Sequence, residues 1–304
     1  MVKKATGTAG GKVILFGEHF VVHGCPAVAL GISNSAVVEI TKSDKIGFKT
    51  KAKGTIPELT SKAISNVLSA MEIQDKFLVE LKGDLPTVGG LGSSAAFCVA
   101  LARAVSAFYN IKLTNEQINE IAYEGELAFH GTPSGIDNSI ATFGGAIKFT
   151  KSESGNKFEK LSIPKELHFV LGLTGVSSPT SKMVAKVHEF RKKNPEKFQE
   201  LFKKAEEIVQ QGIKLLELES ATFEELGKLM DKNQQLLLSI GVSIPENEQV
   251  ITLMHENGAY GAKITGGGGG GTCLALVKDK KHAEQIISKL TEKGFSGIYS
   301  KYSP

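Results

Sequence analysis

Pro86-Thr-Val-Gly-Gly-Leu-Gly-Ser-Ser-Ala-Ala96 sets three glycines and two serines directly ahead of an alanine-rich run. Gly89, Gly90 and Gly92 let a backbone turn tightly and approach a ligand with no Cβ in the way. Ser93 or Ser94 is placed to cap a following helix. From Ser94 to about Tyr109, residues Phe97, Ala100, Leu101, Ala104, Val105 and Phe108 recur at helical spacing. The N–H groups at such a helix start, with the positive end of its dipole, suit phosphate. An ordinary glycine-rich connection into a core helix has the same local pattern, so the rest of the chain must decide.

At 304 residues, one large or two medium domains are expected. With 41% hydrophobic and 22% charged residues, the chain reads as a globular domain protein with ample length for a core. The net charge of +4 is modest, and runs such as Arg191-Lys-Lys193 read as solvated helix faces. With no tryptophan and no basic–aromatic stripe, no nucleic-acid partner is expected. No apolar run is long enough to span a bilayer, and no apolar signal core follows Met1-Val-Lys-Lys-Ala. Cys25, Cys98 and Cys273 are scattered and odd in number, which predicts free thiols and a cytoplasmic protein.

The remaining elements alternate. Lys12–Gly17 reads as a buried strand followed at once by Glu18-His19, charged residues where a pocket rim or a polar turn belongs. Strands are expected at Ala36–Thr41, Lys45–Thr50 and Phe77–Leu81, and a helix over residues 58–72. A helix capped by Thr114 or Asn115 runs to about Phe129. His130-Gly-Thr-Pro-Ser-Gly-Ile-Asp-Asn138 reads as a loop, and Ala141–Phe149 as a strand with a glycine break. The polar stretch Lys151–Lys157 marks a domain boundary, giving domains 1–150 and 151–304. The second half reads as α+β: a strand at Leu167–Leu173, and helices near 198–216, 223–239, 246–257 and 280–292. Thr272–Val277 and residues 295–300 read as strands. Six glycines, Gly266–Gly271, lie between apolar segments, where close approach to a ligand or to another loop explains them better than a linker.

Several chemistries are excluded. The Walker pattern fails around Gly11-Lys12 because Val13 follows and Thr6 stands at the first glycine position. Gly90-x-Gly92-x-x-Ala95 fits a dinucleotide fingerprint, but residues 83–89 separate it from the preceding strand. There is no protein-kinase catalytic loop, no zincin pair and no G-x-S-x-G elbow. A phosphate cradle with scattered Lys, Asp, Glu and Ser remains, and phosphoryl transfer needs little more than positioning, charge neutralisation, a metal and a base.

Three segments in order, Lys12–Gly24, Pro86–Ala96 and Lys263–Gly271, resemble those of the GHMP kinase superfamily, which includes galacto-, homoserine, mevalonate and phosphomevalonate kinases. Glu126-Leu-Ala-Phe-His-Gly-Thr-Pro-Ser-Gly-Ile-Asp137 is similar to the linking segment of its mevalonate kinase branch. The resemblance implies a two-domain α+β fold and ATP-dependent phosphorylation of a small alcohol, mevalonate before other acceptors. It implies Asp137 as base or electrostatic orienter, with Lys12 near it. It implies Gly89, Gly90, Leu91, Gly92, Ser93, Ser94 and Ala95 around the ATP phosphates, and Ser94 and Glu126 as ligands of Mg²⁺. Glu18, His19, Thr180 and Gly267 would serve the acceptor. A homodimer is compatible with it. Gly10 stands where the family usually has proline and Gly267 where alanine is usual, small changes in backbone-led loops. The rival readings are phosphomevalonate kinase or another superfamily kinase, and a catalytically dead ligand sensor. Lys12, Ser94, Glu126 and Asp137 occurring together speak against the last.

Overall fold

The computed structural model describes residues 3–51, 56–87, 89–131, 133–151 and 155–304. Val88, Thr132 and the centre of the polar stretch 151–157 lie outside the described residues. The chain divides into two compact units that interleave in sequence. The first takes Met1–Lys12, Gly31–Thr87 and Leu91–Gly144; the second takes Val13–Leu30, Val88–Gly90 and Gly145–Pro304.

The first unit is built around a helix that solvent scarcely touches. Helix α2 (Ser93–Tyr109) buries Ala95 to Ala102 without a break, then Ala104, Val105 and Phe108. A helix apolar all round belongs inside a core rather than on a surface. Its many alanines let neighbours come close. It packs between α3 (Asn115–His130) and α4 (Ile136–Phe143), and α1 (Pro57–Ala70) packs on α3. Thr114 caps α3 through the Gln117 amide, and the Gln117 side chain accepts in return from the Thr114 amide. The strands of this unit are the later part of β2 (Ala27–Ser43), β3 (Gly47–Thr50) and β4 (Lys76–Gly83). β2 and β4 pair antiparallel with Ile40 opposite Val79, and β3 joins β4 in parallel. Val38 and Ile40 are buried while Glu39 and Thr41 are not, the period-two pattern of a half-buried sheet.

In the second unit a four-stranded antiparallel sheet runs in the order β10-β7-β9-β8, from β10 (Ser296–Tyr302), β7 (Leu167–Leu173), β9 (Thr272–Val277) and β8 (Gly261–Thr265). Every residue of β8 and β9 is buried. Edge strand β8 needs partners for its outward N–H groups. Helix α7 (Phe223–Ser239) supplies them: the Ala262 amide donates to Asp231 Oδ1 at 2.9 Å and the Ile264 amide to Gln234 Oε1 at 3.0 Å. Two side chains one helical turn apart thus serve two alternate strand residues. The contact is this close because Gly227 lies on the strand: a Cβ there would stand 2.1 Å from the Tyr260 carbonyl oxygen. The start of β2 pairs with β5 (Ala146–Thr150), and β5 with β6 (Lys157–Leu161). Helices α5 (Thr180–Lys193), α6 (Pro195–Glu217), α8 (Pro245–Glu256) and α9 (Lys280–Glu292) complete the unit.

Three local expectations change. Neither serine caps α2: its N-cap is Gly92, in the left-handed region at φ +67, with no side-chain hydrogen bond. Asp137 and Asn138 belong to α4 rather than to a loop, so the expected strand at Ala141–Phe149 is helix as far as Phe143 and β5 only from Ala146. Buried Ile136, Ile140 and Ala141 fall at helical spacing, but the turn formers ahead of them mask the signal. Strand β6, mostly exposed and polar, has no sequence signature and exists because β5 offers it an edge. All three cysteines are free and buried.

Gly227→Val should separate α7 from β8 and strand the edge amides. The expected loss is roughly 2–3 kcal/mol or more, at the upper end of overpacking costs, measured by urea denaturation. A loss under about 0.5 kcal/mol, the range of ordinary surface changes, would show that the Gly227 contact does not hold the edge.

Candidate active site

Two groups of the singled-out residues come together, one in each unit. In the first, β1 (Lys4–Phe16) brings Lys12 to the start of α2, where the Lys12 amide donates to the Leu91 carbonyl at 2.9 Å. The Lys12 side chain is only 5% exposed, and its Nζ lies 3.2 Å from Asp137 Oδ1, in the first turn of α4. Gly92 makes room for this pair. A Cβ at Gly92 would lie 3.0 Å from Lys12 Cγ and 3.7 Å from Asp137 Cβ, and its positive φ already disfavours a side chain. With no side-chain cap on the first turn of α2, its amides keep the character of an anion site. Ser93 and Ser94 also line an apolar cavity of about 130 Å³ whose walls include Phe48, Ile56, Phe97 and Phe129.

Glu126, on α3, is 1% exposed. Its Oε1 is buried with no hydrogen-bond partner among the described residues, and its Oε2 lies 3.8 Å from His130 Nε2, one helical turn on. His130 Nε2 is in turn 3.3 Å from Ser94 Oγ. Burial first, then the charge of Asp137, pushes the Glu126 carboxyl up to about 8, with Ser94 and Lys12 pulling the other way. Burial also lowers His130. Two acidic groups, a serine hydroxyl and a histidine therefore share a pocket in which one carboxylate oxygen has no partner among the described residues.

The second group is treated differently. Glu18 is also 1% exposed, but its Oε1 accepts from Lys263 Nζ and its Oε2 from Asn233 Nδ2 at 3.4 Å. Lys263, fully buried in β8, donates as well to the carbonyls of Ile264 at 2.7 Å and Ile14 at 3.5 Å. His19 follows with φ +62 and ψ −45, a positive-φ conformation costly for a residue with a side chain. Its Nε2 is 2.9 Å from the Gly267 carbonyl oxygen. A carbonyl only accepts, so Nε2 carries the proton and Nδ1 is the bare acceptor; Nδ1 is buried with no partner among the described residues. Burial, against the Gly267 hydrogen bond, lowers this imidazole to about 4, so it is neutral at physiological pH. Thr180 packs on the same glycine: a Cβ at Gly267 would be 2.8 Å from the Thr180 hydroxyl.

The glycine run touches another loop, as its composition predicts. A Cβ at Gly266 would fall 2.4 Å from Gly90 Cα, and Thr272 Oγ1 donates to the Gly89 carbonyl at 3.2 Å. The sequence reading assigned no role to His130, Asn233 or Lys263. Glu126 and His130 stand four apart on a helix, a detectable spacing. A lysine between Ala262 and Ile264 in an apolar strand is likewise a signal. Asn233 lies 215 residues from Glu18 and carries none.

The profile described as GHMP kinases N terminal domain matches residues 58–146, and that described as GHMP kinases C terminal matches residues 214–296. A mevalonate kinase of Thermococcus gammatolerans is 34% identical, the match covering 97% of this chain and 95% of that protein. One from Pyrococcus furiosus is 34% identical over 91% of this chain and 90% of its own. Among solved structures, L. major mevalonate kinase in complex with R-mevalonate superposes with a TM-score of 0.90 at 33% identity, covering 100% of this chain and 97% of that one. The Methanococcus jannaschii mevalonate kinase gives 0.82 at 26% identity, covering 100% and 99%.

The Glu126 environment should be visible in stability. A carboxyl group with a folded pKa above its unfolded value costs nothing while both states are protonated, below about pH 4.5. The cost grows as the unfolded state ionises and is complete above about pH 8. Glu126→Gln removes it, so the ligand-free protein should gain a few kcal/mol above about pH 8 and almost nothing near pH 4.5. Urea denaturation of parent and variant at the two pH values tests this. An equal gain at both would show that ionisation is not the cause.

Proposed function

This chain belongs to the GHMP kinase family, and we propose that within it the reaction is transfer of the γ-phosphoryl group of ATP to the 5-hydroxyl of mevalonate. The carrying observation is the Lys12–Asp137 contact at 3.2 Å beside an uncapped helix start. An aspartate can take or orient the proton of an attacking hydroxyl. The adjacent lysine stabilises negative charge as it shifts during transfer. The first-turn amides of α2, with residues Gly89 to Ala95, hold the phosphates, and the apolar cavity beside Ser93 and Ser94 suits the nucleotide's base.

The site also suits Mg²⁺. Glu126 offers a buried carboxylate oxygen with no partner, and Ser94 a hydroxyl in the same pocket. That is the small set of protein oxygens magnesium uses when phosphates complete its shell. When bound, the metal neutralises charge on the phosphates. Among the described residues no cluster of three or more His, Cys, Asp or Glu could hold an ion unaided, in keeping with a metal that arrives with the nucleotide.

For the acceptor, the neutral His19 presents a lone pair at Nδ1, suited to a hydroxyl donor, with Thr180 and Gly267 beside it. Phosphomevalonate is the second reading, and a buried phosphate calls for charge-assisted donors, above all arginine. The chain has two arginines. Arg103 spends its guanidinium on the Thr8 and Thr142 carbonyls, and Arg191 contacts His23, so neither is set as a phosphate clamp. The three free, buried thiols support a cytoplasmic location.

A side-by-side kcat/KM panel with ATP and Mg²⁺ should rank mevalonate above phosphomevalonate, galactose and homoserine. A higher value for phosphomevalonate would overturn the substrate and leave the family standing. Asp137→Asn should lower kcat by roughly 10²–10⁴-fold with ATP affinity little changed. Near-parental turnover would remove Asp137 from the chemistry.

A further inference from the structure

Two buried carboxylates, Glu18 and Glu126, lie within the sequence segments discussed above, and they are handled in opposite ways. Glu126 keeps an oxygen with no partner. Glu18 has both oxygens engaged, by Lys263 and by Asn233. Lys263 in turn directs its ammonium group at Glu18 and at the Ile14 and Ile264 carbonyls, which accounts for all three of its protons. Asn233 closes the arrangement from the other side, since its Oδ1 accepts from the Gly17 amide at 3.5 Å. Residues Gly17 and Glu18 are thereby tied to α7 and β8. The next residue, His19, has the costly positive φ of +62. A buried ion pair is a poor way to gain stability, because two charges must be stripped of water. Its value is that a charge fixed by several directional bonds has one place to sit.

We propose that Lys263 and Asn233 are positioning residues: by closing on both oxygens of Glu18 they hold the turn at His19, so that Nε2–H stays on the Gly267 carbonyl and the bare Nδ1 faces the acceptor alcohol. Glu18 then works through this turn and makes no direct contact with the acceptor. The inference deepens the kinase reading and rests on it for the identity of the alcohol.

Three variants test it: Lys263→Met, Glu18→Gln, and the two combined, which removes both charges at once. Lys263→Met leaves Glu18 buried without its cation. It should raise KM for mevalonate by roughly tenfold or more while KM for ATP moves less than about twofold. The double variant removes the unpaired charge but does not replace the Lys263 bonds, so mevalonate KM should fall clearly below that of Lys263→Met while staying above the parent's, a coupling that independent sites would not show. If Glu18 instead touched the acceptor through its charge, the double variant would be as poor as the worse single one, and the proposal would fall. A second readout needs no substrate. In ¹⁵N-labelled protein the His19 Nε2–H signal, assigned with His19→Gln, should broaden or vanish in Lys263→Met and recover in part in the double variant. An unaltered signal in Lys263→Met overturns the proposal even if mevalonate proves not to be the substrate, whereas a parent inactive on mevalonate with the signal behaving as described overturns the substrate alone. Should Lys263→Met fail to fold, Asn233→Ala, which removes no charge, is expected to change the signal and the acceptor KM in the same direction.

Discussion

Helix α2 is buried from Ala95 to Ala102 and again at Ala104, Val105 and Phe108, yet its first turn opens on a left-handed glycine with no side-chain cap. These two facts belong together. The burial holds the helix rigidly. Leaving the first turn without a side-chain cap keeps the partial positive charge of its amides for a ligand. Gly92 serves both ends: it turns the chain into the helix, and its missing Cβ leaves the space in which Lys12 reaches Asp137.

The buried charges follow from the same economy. A carboxylate removed from water must find a cation or donors, or else give up its charge. Glu18 finds Lys263 and Asn233 and becomes part of the framework. Glu126 finds neither in full, and burial beside Asp137 raises its pKa instead. A residue left in that condition is destabilising in the ligand-free protein, which is a common mark of a site kept for function. His19 shows a third outcome: one ring nitrogen is satisfied by a backbone carbonyl and the other is buried bare.

The glycine-rich segments were legible for one reason and act for two. Their composition announces a backbone approaching something closely. At Gly92 the neighbours are the Lys12 and Asp137 side chains, whereas at Gly90 and Gly266 it is backbone against backbone. Local composition is the same in both places, so the partner of each glycine is a tertiary fact.

The sequence by itself determined the elements whose hydrophobic period is strong. β7 at Leu167–Leu173, α7 at Phe223–Ser239 and β9 at Thr272–Val277 fall where their patterns place them. It also carried the GHMP resemblance, through Lys12, Ser94, Glu126 and Asp137 at their places in three of the four segments. Only the tertiary structure decided what depends on contacts between distant residues. It made Ile136–Phe143 a helix despite its turn-forming approach, and gave β6 an edge to join. It left α2 uncapped, because the side chain of Ser94 meets His130 rather than its own helix start. It also distinguished Glu18 from Glu126, two acids in short segments, by placing Asn233 and Lys263 around one and leaving an oxygen of the other bare. Periodicity records which face of an element is buried; it holds no information about which polar partner, 215 residues away, a buried charge will meet.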